Sequence, residues 1–234
     1  MIKVGCCGFP KAPKIYYTHF PVVEVQQTFY QLPKVETAQR WRDQAPKDFE
    51  FTLKAWQLIT HAPTSPTYRR LRTEIEKPNR YGFFRPTDEV LAAWKRTKEI
   101  AQVLEARMVL FQCPASFTPT KAHIADMRAF FHLIDRDGLL FAWEPRGEWS
   151  DDLVREICHE LGLIHCVDPF QRPSVYGEVA YFRLHGIGGY RYRYTDEDLS
   201  RLLRWCWEYE KGYCLFNNIS MFEDALRMKE MIGG

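Results

Sequence analysis

Residues 180–189, AYFRLHGIGG, decide how the rest of the chain is read. An aromatic, strand-like run ends there in glycines. Side chains of a strand alternate at period 2, so Arg183 and His185 share one face. A cation and an imidazole on an apolar strand are costly to bury unless something pairs them. The glycines beyond them can turn sharply and bring backbone N–H groups to a ligand. The pattern is that of a site at the end of a strand.

Seven further strand-like runs surround this one, at residues 2–7, 22–26, 49–55, 107–112, 139–144, 163–168 and 213–217. Helical patterns fall between them, at about 87–105, 119–136, 150–161, 195–211 and 220–231, with an earlier one bracketed by Pro33 and Pro46. Thr195 with Asp198, and Ser220 with Glu223, predict capping boxes, and Ser150 before two aspartates predicts a helix start. Eight apolar strands alternating with helices through mostly short loops read as parallel βα units. Eight is the closing number of the TIM-type (β/α)8 barrel, so an α/β barrel in one compact domain over residues 1–234 is expected. An open doubly wound sheet is the alternative. Residues 61–86, rich in Pro, Arg and Tyr, read as an extended βα loop.

Composition sets the class. The 234 residues are 46% hydrophobic and 15% aromatic, which suits a packed core and excludes disorder. A formal net charge of +2 argues neither for nor against a polyanion, so any basic patch is local. No apolar run is long enough to span a membrane, and the first residues are too polar for a signal peptide. A cytoplasmic location is therefore expected. The seven cysteines lack any Cys-x-x-Cys spacing and sit in apolar runs, as buried free thiols do. Pairing of Cys6 or Cys7 with Cys214 is the alternative if the terminal strands meet.

On a barrel, functional groups belong at the C-terminal strand ends. Those ends read Gln26, Lys54, Gln112, Glu144, Asp168, His185 and Asn217. One layer deeper, on the same faces, lie Glu24, Thr52 and Arg183. Glu24 and Arg183 inside a barrel need pairing with each other or with neighbours. Strand ends are often polar simply because loops are wet, but a ring of Lys, Glu, Asp and His points to a common site. Lys54 is either a base or Schiff-base lysine, if desolvated near Arg183, or the partner of Glu144 or Glu24 in a salt bridge. Glu144 and Asp168 are either an acid/base pair or anchors for Arg146 and Arg183. His185 suits a general acid/base, a phosphate donor or a metal ligand. A divalent metal on Glu144, Asp168 and His185 is chemically reasonable, but no ligand spacing supports it, so no cofactor is expected.

The loop at residues 186–194, GIGGYRYRY, offers backbone donors from Gly186 onward, with Tyr190, Arg191 and Arg193. Loops after the seventh and eighth strands of such barrels often bind phosphate, and interleaved Tyr and Arg also suit nucleic acid. An aromatic loop closing the barrel mouth, arginines in solvent, explains the same residues.

Motifs along the chain add a resemblance. GCCGF near the start, VEVQQTFYQLP, LKAWQLITH, LFQCPASF, EPRGEW, YFRLHG and LFNN follow one another in the order seen in the domain of unknown function 72 (YecE-like) family, which this sequence resembles. The matched positions include Glu24, Thr28, Phe29, Tyr30, Lys54, His61, Gln112, Glu144, Arg146, Arg183, His185, Asn217 and Asn218. Cys7 stands where the family pattern has serine, Phe9 where it has tryptophan, and Gln26 where asparagine is usual. The resemblance implies a TIM-type barrel with its polar ring at one mouth, and it implies no particular activity.

These observations lead to a barrel enzyme doing acid/base or hydrolytic chemistry on a small polar ligand, phosphorylated or not. Lys54, Glu144 and His185 are the expected catalytic groups. Arg146, Arg183 and Asn217 position the ligand, and Tyr30 and Gln112 line the mouth. A nucleic-acid-binding barrel, such as a metal-dependent phosphodiester hydrolase, and a non-catalytic metabolite-binding protein are the two alternatives. The first would use the Tyr/Arg loop and residues 69–80.

Overall fold

A computed structural model describes residues 1–233. Eight parallel strands form one sheet in the order β6-β5-β4-β3-β2-β1-β8-β7. They are β1 (Ile2–Cys7), β2 (Val22–Val25), β3 (Glu50–Lys54), β4 (Met108–Gln112), β5 (Leu140–Glu144), β6 (Ile164–His165), β7 (Val179–Leu184) and β8 (Lys211–Phe216). Between them run α1 (Pro13–His19), α2 (Gln27–Tyr30), α3 (Val35–Gln44), α4 (Gln57–Thr60), α5 (Asp88–Val103), α6 (Lys121–Leu133), α7 (Asp151–Leu161), α8 (Asp196–Cys206) and the final α9 (Met221–Gly233). This is the expected TIM-type barrel. Residues 61–86 form the long loop, carrying two 3-10 turns at Pro66–Arg70 and Pro78–Arg80.

The ladder between β6 and β7 is the seam. The sixth strand, expected over residues 163–168, pairs regularly only at Ile164 and His165. Beyond that its backbone is shared: His165 N–H bonds to Tyr176, Cys166 N–H to Trp143, and Val167 meets β7 in one bridge at Phe182. Val167 N–H donates to Tyr181 at 3.2 Å and Val167 C=O accepts from Arg183 at 2.9 Å. Two hydrogen bonds thus close the barrel where a regular ladder was expected.

Period 2 divides each strand between two cores. On β4 all five residues are buried; Met108 and Leu110 join the barrel interior, while Val109 and Phe111 face the surrounding helices. Ala142, Ile164, Cys166, Tyr181 and Leu215 are among the residues that fill that interior with them. Its floor is polar: Lys3 pairs with Glu50 at 2.7 Å, and Tyr213 donates to Glu50 at 2.9 Å. The seven cysteines are buried and free, and the register sets Cys214 opposite Val4 rather than Cys6 or Cys7.

Helix starts follow the sequence with one exception. Thr195 and Asp198 form a reciprocal capping box, and Ser150 accepts from Leu153 N–H at 3.3 Å. At α9 the expected box is not made, because Ser220 Oγ is buried without a hydrogen-bond partner among the described residues. Helix α8 stops at Cys206, short of the expected residue 211, because Lys211 is already paired with Val179 in the sheet.

Tyr16 of α1 shows how the barrel is tied to its outer layer. Its hydroxyl accepts from Cys6 N–H at 2.7 Å and donates to Val22 C=O at 2.8 Å, bridging β1 and β2. Tyr16→Phe leaves both backbone groups unpaired in a dry place and is expected to destabilise the fold by about 1–3 kcal/mol, measured by denaturant unfolding.

Candidate active site

Arg183 stands at the centre of the mouth, 1% exposed, and reaches three other strands. Its Nε and Nη2 donate to Glu24 at 3.0–3.2 Å, and its Nη1 donates to Glu144 at 2.5 Å and Gln112 at 3.2 Å. Tyr181, two residues back on the same face, donates to Glu24 Oε2 at 2.8 Å and contacts Thr52. Gln26 also donates to Glu24. Burial opposes ionisation of Glu144, but Arg183, then Arg146, His185 and Lys54, outweigh it and hold the carboxyl at about 2. Glu144 is therefore an anion at any physiological pH, unsuited to donating a proton.

A second tier lies nearer solvent. Arg146 donates to Glu144 at 2.9 Å through Nε and to His185 Nε2 at 3.0 Å through Nη2. His185 Nδ1 lies 3.5 Å from Asp168, whose carboxylate also accepts the backbone N–H groups of His185 and Phe170. One tautomer, protonated at Nδ1, satisfies both contacts of the ring. Asp168 thus holds the imidazole while Arg146 meets its outer nitrogen. A cleft of about 460 Å3 opens here, bounded by Glu144, Arg146, Asp168, Arg172 and His185.

Lys54 has a different setting. It is 6% exposed, and among the described residues no carboxylate lies within 4.0 Å of its amine. The salt bridge offered as its alternative role is not made. Instead Nζ sits over the Phe29 ring, 3.7 Å from its centroid. The Thr28 hydroxyl donates to Lys54 C=O at 2.7 Å, fixing the end of β3 against α2. Burial, then the Arg183 charge, lowers the amine to about 7, against weaker attraction from Glu144 and Glu24. His61 packs its edge on the same Phe29 ring and accepts or donates at Thr60 Oγ1, 2.8 Å away. Burial and the nearby Lys54 lower its imidazole to about 3, so it stays neutral.

A second cleft, about 670 Å3, lies over β2 and is lined by Gln26, Tyr30, Arg69, Arg70 and Arg72. The Arg70 guanidinium stacks 3.5 Å from the Tyr30 ring centre. In ring order, Lys54 and Gln112 stand between the strands that bound the two clefts.

Most of the expected ring is thus brought together: Glu24, Gln26, Lys54, Gln112, Glu144, Arg146, Asp168, Arg183 and His185 share one mouth. Asn217 is half-buried at the end of β8, its N–H bonded to Leu184 C=O. Asn218 does not join the ring; its amide donates to Tyr192 C=O and Asp224, tying the last loop to α9. Two of the expected phosphate donors of residues 186–194 are engaged inside the loop. Gly186 N–H donates to the Tyr194 hydroxyl, and Gly189 N–H to Gly186 C=O. Gly186 has φ +88°, and a Cβ there would stand 2.2 Å from Gly189 C=O, so the glycine serves the turn itself. Tyr190, Arg191 and Arg193 are exposed. Nor do Glu144, Asp168 and His185 gather as a metal cluster; among the described residues no three His, Cys, Asp or Glu do.

Two residues of the site escaped the sequence reading. Tyr181 could have been found by stepping back once more along the Arg183 face. Phe29 lies within the TFYQLP motif, but only the fold turns its ring under Lys54.

A family model described as protein of unknown function DUF72 matches residues 12–234. The chain belongs to the DUF72 family. Among curated relatives of this DUF72 chain, UPF0759 protein YunF of Bacillus subtilis (strain 168) is 28% identical over 118 residues. That match covers 50% of this chain and 37% of YunF, so it spans well under half the length of that relative. A solved DUF72 protein from Enterococcus faecalis V583 aligns over 100% of this chain and 98% of its own, with TM-score 0.75 and 21% identity. D-psicose 3-epimerase, solved in the presence of D-fructose, covers 98% of this chain and 97% of its own at TM-score 0.63 and 11% identity. Both likenesses concern the fold. No helix of the described residues is long and apolar enough to cross a membrane.

Two outcomes test the electrostatics of the DUF72 site. Arg183→Met leaves Glu24 and Glu144 buried without their main partner and is expected to cost about 3–5 kcal/mol in denaturant unfolding. Lys54→Met should act oppositely. The unfolded amine titrates near 10.5 and the native one near 7, so between those values the unfolded chain binds the extra proton and wild-type stability rises with pH. The penalty is fully present below about pH 7. Lys54→Met should therefore exceed wild type by a few kcal/mol at pH 7, roughly 1.4 per pH unit of the shift. The gap should close as pH approaches 10.5, read from paired unfolding curves.

Proposed function

We propose that this protein is an acid/base enzyme acting on a small anionic or polar ligand held at the C-terminal mouth of the barrel. The carrying observation is Lys54: a buried amine over the Phe29 ring, without a carboxylate partner, lowered to about 7 by burial and the nearby Arg183. A general base works best when its pKa lies near the working pH. Lys54 accepts the proton, and Arg146, 43% exposed in its side chain, presents a guanidinium to the ligand's anionic group. His185, oriented by Asp168, is the second group able to carry a proton. Arg183, Glu24 and Glu144 keep the site charged and pre-formed, so that little reorganisation accompanies the chemistry. Hydrolysis fits the same groups, with a water in place of the carbon acid. The D-fructose named for one barrel neighbour offers a fold-level analogy for ligand size, and nothing closer.

A thermal-shift screen of wild type and Lys54→Ala against metabolites, phosphorylated compounds and oligonucleotides tests this reading. A site ligand at a hundredfold its Kd should stabilise wild type by about 2.7 kcal/mol, and the effect should vanish in Lys54→Ala. The arginines of the second cleft favour one other reading, a nucleic-acid ligand. Stabilisation by oligonucleotides alone, falling steeply with salt and surviving Lys54→Ala, would carry that reading instead.

A further inference from the structure

We propose that Lys54 is a carbonyl-capturing nucleophile, forming an imine with an aldehyde or ketone that carries an anionic group. This rests on the acid/base reading of the same mouth and names its substrate class. The geometry sets Lys54 apart from every other cation there. Arg183 is committed to Glu24, Glu144 and Gln112, and Arg146 is engaged by Glu144 and His185. Lys54 Nζ has no hydrogen-bond partner among the described residues and lies over the face of Phe29. Its backbone is clamped by Thr28 at the C=O and continues into Ala55, whose N–H is held by Leu110 C=O at 2.8 Å. The amine is thus fixed at its root and backed by an aromatic ring, with 6% of the residue still exposed.

A lone ammonium in this place gains little beyond a cation–π contact. A nucleophilic amine gains more, because desolvation beside a second cation keeps its lone pair available. The neutral amine attacks the carbonyl carbon, the N–C bond forms, and the carbonyl electron pair moves to oxygen. The two amine protons pass to that oxygen, which leaves as water, so the imine forms without an oxidant, reductant or other co-reactant. Protonated, the imine places a cation over the same Phe29 face. The anionic group of the substrate is assigned to Arg146, whose Nη1 has no acceptor among the described residues and whose charge is felt at Lys54.

The test is reductive trapping on the full chain at pH 7. Glyoxylate, pyruvate and dihydroxyacetone phosphate are each supplied with sodium cyanoborohydride, and adducts are mapped by peptide mass spectrometry. The expected result is one adduct on Lys54 with at least one of the three, at roughly tenfold or more the occupancy of any exposed lysine. It should be absent in Lys54→Arg, which keeps the charge, and reduced in Arg146→Met. Whether the carboxylates or the phosphate react identifies which anion the site prefers. Adducts spread over exposed lysines with Lys54 unmodified overturn the proposal. Lactate and glycerol 3-phosphate, which lack the carbonyl, separate the two readings. If they stabilise wild type but not Lys54→Met while no carbonyl is trapped, the acid/base site stands and the imine falls. If neither trapping nor stabilisation depends on Lys54, both fall.

Discussion

One buried guanidinium organises this molecule. Arg183 on β7 joins carboxylates from β2 and β5 and an amide from β4, strands that are not its neighbours in the sheet. A planar fork of five donors is suited to that task in a way an ammonium is not. Dehydrating three charges costs several kcal/mol each, and only close contacts on every side offset it. The network therefore tolerates one arrangement of the mouth, and the remaining side chains must conform to it. It also bridges the weakest part of the barrel, since β7 meets β6 through the single bridge at Val167 and Phe182.

The behaviour of Lys54 follows from this. The two carboxylates that could have neutralised it are committed to Arg183, and Glu144 is further committed to Arg146. What remains for the amine is an aromatic face and a cation nearby. Phe29 lies against it, and His61, packed on that same ring, stays neutral. The unpaired amine of Lys54 is in this sense produced by the stability of Arg183: a satisfied network leaves an unsatisfied neighbour. The loop after β7 complements the design from outside. Several of its backbone groups are tied down by Tyr194, Asn218 and Asp224.

Much of the site was legible in the linear pattern because a parallel barrel converts strand ends into one ring. Lys54, Gln112, Glu144, Asp168 and His185 each end an apolar run, and period 2 adds Glu24 and Arg183 beneath them. The misreadings share a different cause. Asn218 stands beside Asn217 in LFNN, yet its amide is drawn toward Asp224, six residues on, a contact that no strand pattern encodes. The Gly186 turn looked like a phosphate loop because glycine marks freedom of backbone, whichever partner the backbone then takes. The Ser220 box failed although its residue types were right, since burial of the hydroxyl and not spacing decided its partners.

By itself, the sequence determined the barrel, the strand phases and the identity of the charged layer, because alternation of apolar and polar residues is local and survives without knowledge of neighbours. Only the tertiary structure decided who pairs with whom. Lys54 could equally have met Glu144 or Glu24; the choice fell to Arg183, because one guanidinium can bond both carboxylates at once and an ammonium at the end of β3 cannot. Coulomb energies at the mouth depend on distances between residues up to 159 positions apart. Those distances exist only once the sheet has closed.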